Sequence, residues 1–356
     1  MDKSILKYDR DIYLKPFDEG KIMYFETILP IKGEEIKLLF PVEEVFFVTN
    51  YGLDVIYEEG KDYIVKNGKI VITKNSKIEQ LEIDEYYPKE KTSLGLKVAK
   101  AHCPYKFNED RYVMYGEVDY ITKHQIAITY RHKQEKVLFE HKCQKEKLKN
   151  FYSKLEKNKE ATIVFFGDSI TVGCNSSGTE YGGNVPPYAE SWPVMVTKAI
   201  EKDTESKINY VNTAVGGTLT EWAVENYDER VNKYHPDLVV LAFGMNDACL
   251  PIEEHIKQIK TIINGIKEKN PMCEFVLIST TVPNIESDAI DQNQKSQYLE
   301  YEKLDLDYAA YLNMTLSHLK LLERKKFKDM SANNVNHPND FLARLYAQSV
   351  LKVMGL

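Results

Sequence analysis

No stretch of this 356-residue chain approaches the roughly twenty consecutive apolar residues that a bilayer-spanning helix needs. The first residues, Met1 to Arg10, are broken by charge and lack the apolar centre of a secretory leader. Basic residues are not in excess: 47 Lys and Arg face 54 Asp and Glu, a formal net charge of -7. Phosphate backbones are bound by basic surfaces, so nucleic acid is excluded as a main partner. Cysteine is sparse and odd in number: Cys103, Cys143, Cys174, Cys249 and Cys273. Their wide spacing fits neither a disulfide framework nor a metal cluster. Free thiols in a reducing cytoplasm are the simplest account, and neither metal nor cofactor is expected. There is no internal repeat and no low-complexity tract.

What is present is a run of β-branched and aromatic residues, Ile163-Val164-Phe165-Phe166, followed by Gly167-Asp168-Ser169-Ile170. The run reads as a buried strand. A turn at its C-terminal end puts the Ser169 hydroxyl at the rim of a parallel sheet, where open α/β folds bind ligands. Gly, Asp and Ser are also ordinary loop formers, so the triplet alone says little. Three further blocks follow in order. Asn212-Thr213-Ala214-Val215-Gly216-Gly217-Thr218 comes after the strand-like Ile208 to Val211, and Gly244-Met245-Asn246-Asp247 after Leu238 to Phe243. Asn334-Val335-Asn336-His337-Pro338-Asn339-Asp340 lies near the C-terminus. Each block has a plain alternative as a cap, a tight turn or a surface histidine. Their ordered coincidence outweighs those alternatives.

Over about residues 159 to 356 the chain resembles the SGNH, or GDSL-type, hydrolases, which take their name from that serine, glycine, asparagine and histidine. A serine hydroxyl needs a base within hydrogen-bonding reach, and histidine titrates near the operating pH. The resemblance implies Ser169 as nucleophile and His337 as base. It assigns the oxyanion donors to the backbone N–H of Ser169, the backbone N–H of Gly217 and the side-chain amide of Asn246. Glycine suits the second role because a Cβ would obstruct the approach of substrate; Gly216 is the alternative, the doubled glycine leaving the alignment open by one position. In one respect the chain departs from the family. The aspartate that usually stands three residues before the histidine is replaced by Asn334, a candidate orienting group whose amide oxygen can accept from the ring N–H but brings no charge. Some members work with a Ser-His dyad whose ring is oriented by a backbone carbonyl, and a dyad is expected first here. Asp329, the nearest upstream carboxylate, is the second choice as orienting group, and Asp168 is expected to shape the turn.

The earlier part of the chain reads differently. From Pro30 to about Tyr130 apolar and polar residues alternate in short runs: Ile36 to Phe40, Val45 to Thr49, and Asp62 to Val65 with Lys69 to Thr73 around the hairpin signal Asn67-Gly68. These predict a small antiparallel β-sandwich. Its tyrosines fit either a sugar-binding surface or, the preferred view, a core docked on the hydrolase. Some similar carbohydrate esterases carry such a sandwich ahead of the catalytic domain. The charged Gln144 to Glu160 reads as a connecting helix. Thereafter the pattern predicts strand 162–166, helix 189–202, strand 208–213, helix 219–233, strand 237–243, helix 252–268, strand 274–279, a long helix 293–321 and a last helix 339–353. That alternation implies an α/β three-layer sandwich, a parallel sheet flanked by helices. With 43% hydrophobic residues there is enough for two cores. The expected organisation is 1–142 sandwich, 143–158 linker helix and 159–356 catalytic domain.

The segment Cys174 to Tyr188 is too rich in glycine and proline for helix and is expected to loop beside Ser169. Tyr188 and Trp192, with Trp222 farther on, are candidate substrate walls, although both tryptophans equally suit a core. A polar loop with a few aromatics suits a hydroxylated substrate better than a long acyl chain. The expectation is a cytoplasmic serine esterase removing small acyl groups, acetyl above all, from sugars and similar substrates. A longer-chain acyl esterase or lysophospholipase, and a non-catalytic carbohydrate-binding protein, stand as alternatives. The oligomeric state is left open.

Overall fold

The computed structural model describes residues 1–356 apart from 18, 92–101, 109, 134–138, 140, 248–249, 290–300 and 302, with backbone only over 102–108. The first part comprises α1 (Arg10–Tyr13), β1 (Ile22–Ile28), β2 (Val42–Asn50), β3 (Ile56–Tyr57), β4 (Tyr63–Lys66), β5 (Lys69–Ile72), α2 (Ile83–Tyr86), β6 (His102–Asn108), β7 (Arg111–Tyr115) and β8 (Ile126–His132). Strands β1, β8, β2 and β3 pair in that order as an antiparallel sheet, and β4–β5 and β6–β7 form separate hairpins. In the β4–β5 turn Asn67 and Gly68 both take positive φ, 53° and 72°, the conformation that the dipeptide favours. Ile36 to Phe40, expected as a strand, forms none and instead sends Ile36, Leu39 and Phe40 into the core.

The second part runs α3 (Lys149–Asn158), β9 (Glu160–Gly167), α4 (Ser169–Val172), α5 (Trp192–Thr204), β10 (Lys207–Asn212), α6 (Thr220–Arg230), β11 (Leu238–Ala242), α7 (Ile252–Lys269), β12 (Glu274–Ser279), β13 (Ala309–Asn313), α8 (Met314–Leu322) and α9 (Asp340–Met354). The five strands form one parallel sheet in the order β10-β9-β11-β12-β13. This is the expected α/β architecture, with separate antiparallel sheets before it. The expected long helix 293–321 is a correction: residues 290–300 and 302 lie outside the described residues, Ala309–Asn313 is a strand, and helix resumes only at Met314. Pairing with β12 satisfies backbone groups that a short Ala-Ala-Tyr-Leu run gives no periodicity to assign.

Alternation along β9 builds the layers. Ile163 and Phe165 face one way and pack with Trp192, Met195 and Val196 of α5 and with α9. Val164 and Phe166 face the other way, toward α6 and α7. After β9 the chain makes β10 on one side and then crosses to β11 on the other. The exit of β9 is therefore the switch point of the sheet, where crevices open.

The hydrophobic core does not stop at the start of β9. One continuous cluster joins Tyr13, Phe17, Phe25 and Ile28 to Phe341, Leu345 and Tyr346 of α9. Helix α9 is buried on nearly every side, as a helix between two sheets must be. Even its Arg344 is buried, stacked over Phe17, Phe341 and Tyr13 and donating to the Tyr24 carbonyl.

Candidate active site

Gly167 ends β9 against the neighbouring strand. A Cβ there would lie 2.4 Å from the Ala242 carbonyl oxygen, so only glycine fits. Asp168 then caps α4, its Oδ1 accepting from the Ile170 N–H at 2.9 Å. Its Oδ2 is buried with no hydrogen-bond partner among the described residues. Burial foremost, with the Asp247 charge adding, pushes the Asp168 carboxyl up to about 7. Asp168 thus shapes the turn, as expected, and Ser169 opens α4 with its side chain at the sheet's rim.

His337 arrives from the segment before α9. Asn333 organises that segment: its Oδ1 accepts from the backbone N–H of Val335, Asn336 and His337, each at 3.0 Å. Ser331 Oγ donates to the His337 carbonyl at 3.0 Å. The result places His337 Nε2 2.9 Å from Ser169 Oγ. A hydroxyl and an imidazole at that distance can pass a proton.

The other ring nitrogen meets none of the groups expected for it. His337 Nδ1 lies 2.6 Å from Asn175 Oδ1 and 3.6 Å from Glu117 Oε2. Asn175 belongs to the loop after α4. Glu117 belongs to the first part of the chain, just after β7, where no site residue was expected. Its Oε1 accepts from Tyr115 Oη and, at 3.1 Å, from Asn333 Nδ2. Burial pushes the Glu117 carboxyl up, but hydrogen bonding and charge from His337, with the Tyr115 and Asn333 hydrogen bonds, outweigh it and hold it at about 2.

Asn334 is not an orienting group. It takes the left-handed conformation (φ 65°), donates from Nδ2 to the Met114 carbonyl at 2.7 Å and accepts from Tyr86 Oη at 3.0 Å. Asp329 is likewise elsewhere: its Oδ1 accepts from the Leu29 N–H at 2.8 Å, tying down the end of β1. Nor does a backbone carbonyl take the Nδ1 proton, because the Asn175 side chain occupies that place.

Two strand exits bring the remaining groups. A Cβ on Gly216 would stand 3.6 Å from Ser169 Cβ, so Gly216 is the glycine that abuts the serine. Gly217 next to it has open space where a Cβ would be, and its φ of +76° favours glycine in its own right. Asn246 donates from Nδ2 to the Thr218 carbonyl at 3.0 Å, which fixes the amide orientation and leaves its second N–H for another acceptor. Asp247 Oδ1 accepts from both the N–H and Oγ1 of Thr220, clamping the two loops together.

The expected substrate walls divide. Tyr188 is exposed on the loop. Trp192 is a core residue, 1% exposed, donating to the Ile170 carbonyl and stacked on Tyr346. Trp222 packs on Phe166, with the Arg230 guanidinium over its ring. Core packing accounts for Trp192, whereas Trp222 is half-buried at the edge of the second cluster. The loop itself is tight: Gly178, Asn184 and Val185 donate to the Ala189, Thr179 and Ser177 carbonyls, and Gly178 and Gly182 have no room for a Cβ. Among the described residues, no helix is long and apolar enough to cross a membrane.

No curated protein matches the chain. Solved structures that resemble it include Axe2, an acetylxylan esterase from Geobacillus stearothermophilus, at 17% identity over 55% of this chain and 94% of that one, with a TM-score of 0.45. Another is LAE5, an alpha/beta hydrolase enzyme from the metagenome of Lake Arreo, Spain, at 15% identity over 55% of this chain and 95% of that one, with a TM-score of 0.45. The GDSL-like Lipase/Acylhydrolase family matches residues 165–344, half of the sequence, with every block from Phe166 to Arg344 inside it. The chain belongs to that family of carboxylic ester hydrolases.

Proposed function

We propose that the protein is a serine esterase that removes small acyl groups, acetyl above all, from hydroxylated substrates such as sugars. The observation that carries this reading is the 2.9 Å contact between Ser169 Oγ and His337 Nε2 at the sheet's switch point. In the proposed reaction Ser169 Oγ attacks the ester carbonyl carbon while His337 Nε2 takes the hydroxyl proton. The carbonyl oxygen becomes an oxyanion, met by the backbone N–H groups of Ser169 and Gly217 and the second N–H of Asn246. Collapse breaks the bond to the alcohol oxygen, which leaves with the proton from His337. Water, deprotonated by the same imidazole, then cleaves the acyl-serine bond and releases the acid.

Two features support a small acyl group on a polar substrate. Ser169 is only 5% exposed, with Gly216 backbone beside it, which leaves little room around the hydroxyl. The loop after it carries polar side chains and the exposed Tyr181 and Tyr188, surfaces suited to hydroxyl groups. The test is turnover of p-nitrophenyl acetate against the octanoate, with acetate release from acetylated mono- and oligosaccharides. The acetate ester should be preferred, and Ser169→Ala should lower kcat by about 10⁴-fold or more. Preference for octanoate would make the substrate a longer acyl ester. Near-normal turnover by Ser169→Ala would remove the mechanism.

A further inference from the structure

We infer that the task of a triad aspartate is divided here between two positioning residues. Asn175 sets the tautomer of His337, and Glu117, supplied by the first part of the chain, provides the negative charge. The inference rests on the proposed roles of Ser169 and His337.

The tautomer follows from a chain of hydrogen bonds. Asn175 Nδ2 donates to the Val118 carbonyl at 3.0 Å, and that contact decides which way the amide faces. Its Oδ1 is thereby turned to His337 Nδ1 at 2.6 Å. An amide oxygen only accepts, so Nδ1 must carry the ring proton. Nε2 then keeps its lone pair toward Ser169 Oγ, as a general base requires. Asn175 is 2% exposed, so water does not compete for these bonds.

An amide oxygen carries no net charge and cannot hold the imidazolium that forms when His337 takes the serine proton. Glu117 can. Tyr115 and Asn333 both bind its Oε1, which leaves Oε2 turned to the ring at 3.6 Å. An ion pair at that distance, its imidazole 12% and its carboxylate side chain 30% exposed, keeps part of its attraction. Its carboxyl, held at about 2, stays ionised wherever an imidazole titrates. The other titratable groups nearby are Asp168, pushed up to about 7 by burial and sensing the His337 charge, and the Cys174 thiol, which burial raises to about 12 and so keeps neutral. Neither offers a fixed negative charge across that range. Val118 and Glu117 are neighbours in one turn, so a single segment orients Asn175 and delivers the charge. Gly116 docks that turn through its N–H on the Asn333 carbonyl, and a Cβ there would strike the Tyr120 ring.

The test uses full-length protein with Glu117→Gln, Asn175→Asp and the pair combined, assayed on p-nitrophenyl acetate across pH. Glu117→Gln keeps the size and the acceptor but loses the charge. It should lower kcat by about 10- to 100-fold with KM little changed. That is less than the roughly 10⁴-fold cost of losing an aspartate that also sets the tautomer, because Asn175 still sets it. With less stabilisation of the imidazolium, the acid limb of kcat/KM should move to lower pH by about one unit. A purely structural role for Glu117 would not move that limb. Asn175→Asp puts a carboxylate directly on Nδ1 and should move the limb to higher pH. In the Glu117→Gln background it should restore kcat to within several-fold of wild type. Glu117→Gln with kcat within twofold of wild type and an unmoved limb would overturn the inference. If wild type and Ser169→Ala turn over alike, the proposed reaction fails instead. The His337 ring pKa, followed by NMR of its ring nitrogens, then still decides the division: it must fall in Glu117→Gln and rise in Asn175→Asp.

Discussion

The hydroxyl of Tyr51 accepts a hydrogen bond from the backbone N–H of Asp340 at 2.9 Å, tying the end of β2 to the first turn of α9 just after His337. A residue of the antiparallel sheet thus helps to set where the histidine segment ends. Asn339 extends the same seam, its Nδ2 donating to Thr27 Oγ1 at 3.0 Å and to Gln125 Oε1 at 2.9 Å. The first part of the chain therefore braces the site as well as contributing Glu117 to it.

Residues 159–356 should therefore not behave as an independent catalytic domain. Removing residues 1–158 strips the covering from α9 and exposes Phe341 and Leu345, along with the buried Arg344. The fragment should be insoluble or, when recovered, at least about tenfold slower on p-nitrophenyl acetate, the lower bound for losing the Glu117 charge. Solubility, melting and kcat of the fragment are the measurements. A stable fragment with full turnover would show that the brace is dispensable.

Asn246→Ala removes one oxyanion donor and should cost about 10²–10³-fold in kcat with little change in KM. Asn246→Asp should be as damaging or more so, since a carboxylate would face the developing negative charge. Steady-state kinetics on p-nitrophenyl acetate separate the cases: an effect mainly on KM would make Asn246 a substrate-binding group.

Asn334 and Asp329 should matter to stability rather than to chemistry. Asn334→Ala leaves the Met114 carbonyl and Tyr86 Oη without their partner and places alanine at positive φ. Asp329→Ala leaves the buried Leu29 N–H unpaired. Each should lower unfolding free energy by about 1–3 kcal/mol while the folded enzyme keeps kcat within about tenfold. Urea unfolding and kcat measured on the same preparations check this. A loss on the order of 10³-fold in kcat for Asp329→Ala would return it to the triad position.

Asp168 makes stability depend on pH in a direction that can be worked out. Its carboxyl is raised from 3.8 to about 7 by burial, so between those values the native state binds a proton that the unfolded chain does not. Its contribution is therefore full below about pH 4 and is lost as pH rises through about 7. Asp168→Asn cannot ionise and should be stabilised relative to wild type at pH 8 compared with pH 5. Urea midpoints of both proteins at the two pH values measure the difference. An equal gap at both would mean that Asp168 titrates near its ordinary value.

Local sequence was enough for the sheet's first four strands and for the serine, glycine, asparagine and histidine blocks, because strand periodicity, glycine turns and the residues at strand exits are properties of short segments. It also located the Asn67-Gly68 turn and the loop that carries Asn175. What short segments cannot express is which distant surfaces meet. Asn334 stands at the aspartate's usual spacing, yet its left-handed backbone turns it to Met114 and Tyr86 instead of to the ring. Trp192 looked suited to a substrate wall until Phe165 and Tyr346 closed around it. Glu117 carries no local sign of a role, since a Tyr-Gly-Glu turn is ordinary. Only the docking of β7 against the Asn333 segment brings its carboxylate to His337, so the charge of the site is decided by tertiary packing.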